Sequence, residues 1–144
     1  MKFTSEIEIN KPIQTVIDLF DNADNMGKWM EGLLSFEHLS GTPGQVGAKS
    51  KLVFQMGKRK IEMIETILTR HLPDEFSGTY EADGVHNIVK NSFVKISESK
   101  TKYITENEFQ FKGFMKLIGF IMPGAFKKQS IKYLEAFKKF AESQ

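Results

Sequence analysis

The hydrophobic and polar positions of this chain change period three times. Residues 2–9 alternate, with Phe3, Ser5, Ile7 and Ile9 on one side and Lys2, Thr4, Glu6 and Glu8 on the other. That period of two predicts a half-buried strand. Asn10-Lys11-Pro12 then signals a helix start, with Asn10 or Lys11 at the cap and Pro12 in the first turn. Ile13, Val16, Ile17 and Phe20 recur at helical spacing and form its inner stripe. Asp21-Asn22 ends it, and Asp24 is placed to cap a second short helix over 25–30 that carries Met26, Trp29 and Met30.

After Gly32 the period returns to two. Strands are predicted over 33–39, 49–56, 60–71, 76–82, 86–96 and 101–112. The breaks between them are short: Gly41 to Gly47, Gly57-Lys58, Leu72-Pro73-Asp74-Glu75, Asp83-Gly84, and Ser97 to Lys100. Asp83-Gly84 is a strong hairpin signal. Six strands joined this tightly must be antiparallel neighbours, because parallel pairs need long crossovers.

The last segment, 113–142, is helical. An apolar run, 114–122, meets a Pro123-Gly124 break. Beyond it Phe126, Tyr133, Leu134, Phe137, Phe140 and Ala141 make one stripe, with small Ser130 in line. Lys127, Lys128, Lys132, Glu135, Lys138, Lys139 and Glu142 occupy the other face. The economical packing is α+β: a twisted antiparallel sheet of about seven strands wrapped on one long C-terminal helix.

Composition narrows the function classes. At 144 residues the chain is most simply a single domain over 1–144, long enough for a hydrophobic core. A net charge of +2, with Arg59 and Arg70 the only arginines, argues against nucleic acid as a partner. No cysteine is present, which excludes disulfides and thiolate metal sites and fits a reducing, cytoplasmic location. The first residues carry no uninterrupted apolar run of the signal-peptide kind. The longest apolar stretch falls short of the roughly 20 residues a membrane span needs. Thirteen Phe and seven Met against one Trp suggest an adaptable apolar interior.

The order of elements resembles the START-related, Bet v 1-like superfamily, the helix-grip fold, in its polyketide cyclase/dehydrase-like or SRPBCC branch. The segment IEINKPIQTVIDLFDN is similar to the family's first helix after a strand. Trp29, in NMGKWMEGL, stands where those proteins usually carry a Trp. HLSGTPGQVGAKSKL resembles their second strand, loop and third strand, and IEMIETILTRHLPDEF their fourth strand, with Glu65 and Pro73. The resemblance spans essentially the whole chain and is specific for fold. The superfamily holds lipid carriers, cyclases, plant hormone binders and chaperone activators.

The resemblance implies a curved sheet gripping the C-terminal helix around an elongated apolar cavity. Strand alternation then supplies the inward-facing candidates Phe54, Met56, Met63, Tyr80, Phe93, Phe109 and Phe111. The helical segment adds Ile118, Met122, Phe126, Leu134 and Phe137. The same residues would equally fill a solid core. Trp29 joins the ligand-binding set through its place in the family pattern.

Polar residues that share faces with these apolar ones are candidate ligand handles. Glu65 lies with Ile61, Met63 and Ile67, Asn91 with Phe93, and Thr105 and Asn107 with Tyr103 and Phe109. A carboxylate on a buried face should have a raised pKa and could act as acid or base. Glu65, Asn91 and Asn107 are the preferred handles. His38, His71 and His86 show no ligand spacing, so neither a metal nor any other cofactor is expected. The loop Gly41-x-x-Gly44-x-x-Gly47 has strands on both sides and is read as a connection, not a phosphate cradle.

Three functional readings remain open. The first is binding, transport or sequestration of a hydrophobic small molecule such as a lipid or polyketide-like compound. The second is a cyclase or dehydratase using cavity polar groups, with Glu65 its one candidate base. The third is a stress-related or co-chaperone-like interaction module with a filled interior. The lysine face of the last helix leaves room for transient contact with acidic lipids or a partner protein. The run 114–122 is the candidate lid, and monomer and homodimer are both compatible with the sequence.

Overall fold

A computed structural model describes all residues, 1–144. Strands β1 (Lys2–Ile9), β2 (Leu33–Ser40), β3 (Lys49–Met56), β4 (Arg59–His71), β5 (Glu75–Ala82), β6 (Val85–Ser97) and β7 (Lys100–Phe111) form one antiparallel sheet in the order β1-β7-β6-β5-β4-β3-β2. β1 and β2 are therefore opposite edges. Helix α1 (Ile13–Phe20), a 3-10 turn (Ala23–Asn25) and α2 (Met26–Trp29) connect them. Helices α3 (Phe114–Ile121) and α4 (Pro123–Glu142) complete the chain. This is the α+β helix-grip arrangement expected from the sequence.

The alternation located every strand to within a residue at each end, because a one-residue slip would turn each side chain to the wrong face. The second helical segment differs from expectation. Its capping oxygen belongs to Asn22, which accepts from the Asp24 N–H at 3.0 Å, and the run is split into a 3-10 turn and a single α turn. Asn22 is in an extended conformation, which lets its short side chain reach the N–H two residues ahead.

The compact core lies at one end of the grip. Ile9, Val16, Trp29, Phe93, Tyr103, Leu134, Phe137, Phe140 and Ala141 form a single buried cluster. Phe20 is its hub: its ring stands 5.1 Å from Phe93, 5.7 Å from Tyr103 and 6.0 Å from Phe137, all edge-on. Such edge-to-face pairs are each worth about 0.5–1.5 kcal/mol beyond area burial. Away from this end, sheet and helix α4 diverge.

Candidate functional site: a cleft between sheet and helix

A cleft of about 410 Å³ opens where the sheet and α4 part. Of its 34 lining residues 22 are hydrophobic, so its walls are chiefly apolar. Trp29, Phe54, Met56, Met63, Tyr80, Phe109, Phe126 and Leu134 border it, as do the polar candidates Glu65, Asn91 and Asn107. The remaining candidates are elsewhere. Phe93 and Phe137 are part of the solid core, because α1 and α2 close that end and Phe20 fills the space between them. Strand alternation gives a side chain's face; it does not say how far along α4 the packing stays closed.

Phe111, Ile118 and Met122 also lie off the cleft. Phe111 packs against Phe109 and Phe126, at 5.8 and 5.0 Å, and underneath α3. A Cβ at Gly119 would sit 2.6 Å from the Phe111 ring, so only glycine lets α3 rest there. Ile118 is half-buried in this seat and Met122 is exposed. Met115 is the α3 residue that reaches the cleft. It also covers the β5–β6 hairpin, where a Cβ on Gly84 would come within 3.0 Å of its Cγ.

The floor of the cleft carries a polar row set by strand register. His38 pairs with Ser50, Ser50 with Glu65, Glu65 with Tyr80, and Tyr80 with Asn87. Register partners on one face stand side by side, so five adjacent strands present one polar line. All five residues border the cleft. The sequence reading missed His38, Ser50 and Asn87. A signal for Asn87 was present: a two-residue Asp83-Gly84 turn pairs Ala82 with Val85 and hence Tyr80 with Asn87.

Within the row, the Tyr80 hydroxyl donates to Glu65 Oε2 at 2.7 Å. Glu65 is buried, and desolvation pushes its pKa up, partly offset by the Tyr80 hydrogen bond. Burial and the neighbouring Glu65 carboxylate push the Tyr80 pKa well above the usual tyrosine value. Asn87 donates from Nδ2 to Asn107 Oδ1 at 3.3 Å, and Asn107 reaches across to Ser130 of α4 at 3.4 Å. Asn87 Oδ1 and Trp29 Nε1 are buried without a protein partner. Asn91, by contrast, is used within the fold. It accepts from the Tyr103 hydroxyl at 2.7 Å and donates to the Phe76 carbonyl at 3.3 Å.

No lysine or arginine borders the cleft. Its charged lining is Asp21, Glu65 and, when protonated, His38. Asp21 is neutralised by a two-pronged pair with Arg70, at 2.7 and 2.5 Å. His38 Nε2 is held at 2.7 Å from the Gly41 carbonyl, to which it donates. That leaves Glu65 as the one carboxylate without a cationic partner. No group of three or more His, Cys, Asp or Glu side chains is assembled that could hold a metal ion.

The chain matches the family described as polyketide cyclase / dehydrase and lipid transport over residues 1–142. It belongs to that family. No curated protein matches it significantly in sequence. Among solved structures, a conserved protein from Geobacillus kaustophilus is similar with a TM-score of 0.84 at 18% identity, covering 99% of this chain and 96% of that one. A Streptomyces aromatase/cyclase follows at 0.81 and 11% identity, covering 99% and 93%. Norcoclaurine synthase from Thalictrum flavum, solved with dopamine and hydroxybenzaldehyde, gives 0.76 and 14% identity, covering 100% and 87%. At such identities these likenesses establish the shared fold of the polyketide cyclase/dehydrase family.

Proposed function

We propose that the protein binds an uncharged, largely apolar small molecule in the cleft, with a hydrogen-bond-donating head group placed against Glu65 and Asn87. The observation that carries this reading is the make-up of the lining: apolar walls, one polar row, and no lysine or arginine. Burying apolar ligand surface supplies about 25 cal/mol per Å². The unpartnered Asn87 Oδ1 and the Glu65 carboxylate take donors, and Trp29 Nε1 takes an acceptor. A free carboxylate would enter beside Glu65 with no cation to pair with, a burial that costs several kcal/mol. Lipid or polyketide-like ligands therefore fit as alcohols or as amides that keep an N–H, not as free acids. The named family covers lipid transport, which accords with carriage or sequestration.

The Tyr80–Glu65 pair supports a second reading, a cyclase or dehydratase in which Glu65 accepts a proton from bound substrate. The cleft argues against an interaction module with a filled interior. No helix is long and apolar enough to cross a membrane, and the cysteine-free chain suits a reducing, cytoplasmic setting. Native mass spectrometry of protein purified from its own host tests the binding reading. It is expected to show a co-purifying uncharged apolar molecule. Protein recovered empty, which also binds no added long-chain alcohol, overturns it.

A further inference from the structure

Helix α3 is turned the wrong way round for a surface helix. With 3.6 residues per turn, Met115, Ile118 and Gly119 share the side seated on Phe111 and the β5–β6 hairpin. The opposite arc holds Phe114, Leu117, Phe120 and Ile121, which are 70%, 51%, 84% and 62% exposed. A solvated helix would carry charges there. Four large apolar side chains on one exposed arc instead mark a face made for another apolar phase.

The charge around this arc says which phase. Residues 110–134 hold five lysines, Lys112, Lys116, Lys127, Lys128 and Lys132, and no Asp or Glu. The whole chain has a net charge of only +2, so positive charge is concentrated in this one segment. Lys116 flanks the apolar arc on α3. Lys127, Lys128 and Lys132 lie together with Gly124, exposed Ile131 and a single acidic residue, Glu135, around one shallow depression at the start of α4. None of these five lysines forms an ion pair within the protein. An exposed apolar arc within a lysine-rich segment whose lysines are unpaired is the composition of a segment that lies in the interface of an anionic bilayer.

We propose that α3 and the first turns of α4 dock this protein on an anionic lipid surface, with Phe114, Leu117, Phe120 and Ile121 in the acyl boundary and the lysines at the head groups. Met115 and Phe126, which belong to this segment, border the cleft, so docking brings the cleft beside the bilayer. The proposal rests on exposure and charge and stands whether or not the cleft takes a ligand.

Sedimentation with phosphatidylcholine vesicles, with and without phosphatidylserine, tests it. The protein should bind the phosphatidylserine vesicles at least about tenfold more tightly. High salt, which shortens the screening length to about 3 Å at 1 M, should release it. Phe120→Glu should lower binding about tenfold with an unchanged circular dichroism spectrum, since Phe120 packs on little else. Paired Lys127→Glu and Lys128→Glu should do the same. Val94→Glu, an equal charge change on the exposed face of β6, should bind like the parent protein. Failure to bind the phosphatidylserine vesicles, or equal loss in Phe120→Glu and Val94→Glu, overturns the proposal. So does light scattering that shows a dimer dissolved by Phe120→Glu, since a second copy would then cover the face.

Discussion

Tyr80 and Glu65 are register partners on β5 and β4, joined by a hydrogen bond of 2.7 Å from the tyrosine hydroxyl to Oε2. The pair sets the only unneutralised carboxylate of the cleft into a line of polar groups. Its chemistry gives the first two predictions.

Glu65 makes stability depend on pH in a definite direction. Burial raises its folded-state pKa above the ordinary 4.5. Between 4.5 and that raised value, the unfolded chain gives up its proton first. Stability from this group is therefore complete below pH 4.5 and is lost as pH rises through the folded pKa. The groups facing Glu65 do not change the sign: Tyr80 stays protonated, Asp21 is held by Arg70, and α4 presents Gln129, Ser130 and Tyr133. His38 sits two strand spacings away, roughly 10 Å. Glu65→Gln should be more stable than the parent at neutral pH, and urea titrations across pH should show the gap closing toward pH 4.5.

Tyr80→Phe removes the one hydrogen bond that favours the ionised carboxylate. The Glu65 pKa should rise further, read from its side-chain carboxyl carbon shift by NMR. Stability at neutral pH should fall by about 1–3 kcal/mol, because a buried acceptor loses its donor.

Core and cleft should respond differently to aromatic substitutions. Phe137 is fully buried in the closed end, and Phe137→Ala should cost about 3–5 kcal/mol in chemical denaturation. Phe126 borders the cleft, so Phe126→Trp has free volume to enter. It should cost less than about 1.5 kcal/mol while blocking ligand uptake.

Gly119 controls how α3 sits. In Gly119→Ala the new methyl would meet the Phe111 ring at 2.6 Å. The helix must lift, at about 1–3 kcal/mol of overpacking. Hydrogen exchange should quicken over 114–121 and stay unchanged across β4 to β7. Adding Phe111→Leu should restore part of the protection.

How much of this was legible depends on what each residue's environment requires. Register and face follow from alternation, so every strand and the polar faces of Glu65 and Asn107 could be read directly. The Tyr80–Glu65 contact could not, because it depends on the register of β4 on β5, which shifts at an irregularity between Ile67 and Thr69. Phe93 and Phe137 were placed on the right faces but at the closed end, where only the three-dimensional position of Phe20 decides that the space is filled. Around α3 the sequence reading placed Ile118 and Met122 toward the cavity. The helix instead seats Gly119 on Phe111, which leaves Ile118 off the cleft and Met122 exposed, a consequence of one missing Cβ that periodicity does not register.

The most direct test of the cleft's selectivity is a titration of three ten-carbon-class probes followed by the fluorescence of Trp29, the only tryptophan and a cleft residue. The probes are decanol, decyl methyl ether and decanoate at neutral pH. Decanol should bind at least about tenfold more tightly than decanoate, with the ether between them, because it alone offers a donor and brings no charge. In Glu65→Gln the penalty on decanoate should shrink. Decanoate binding as tightly as decanol, with Glu65→Gln leaving the ratio unchanged, would contradict the assignment of the polar row. Absence of any response to all three would contradict the cleft as a binding site.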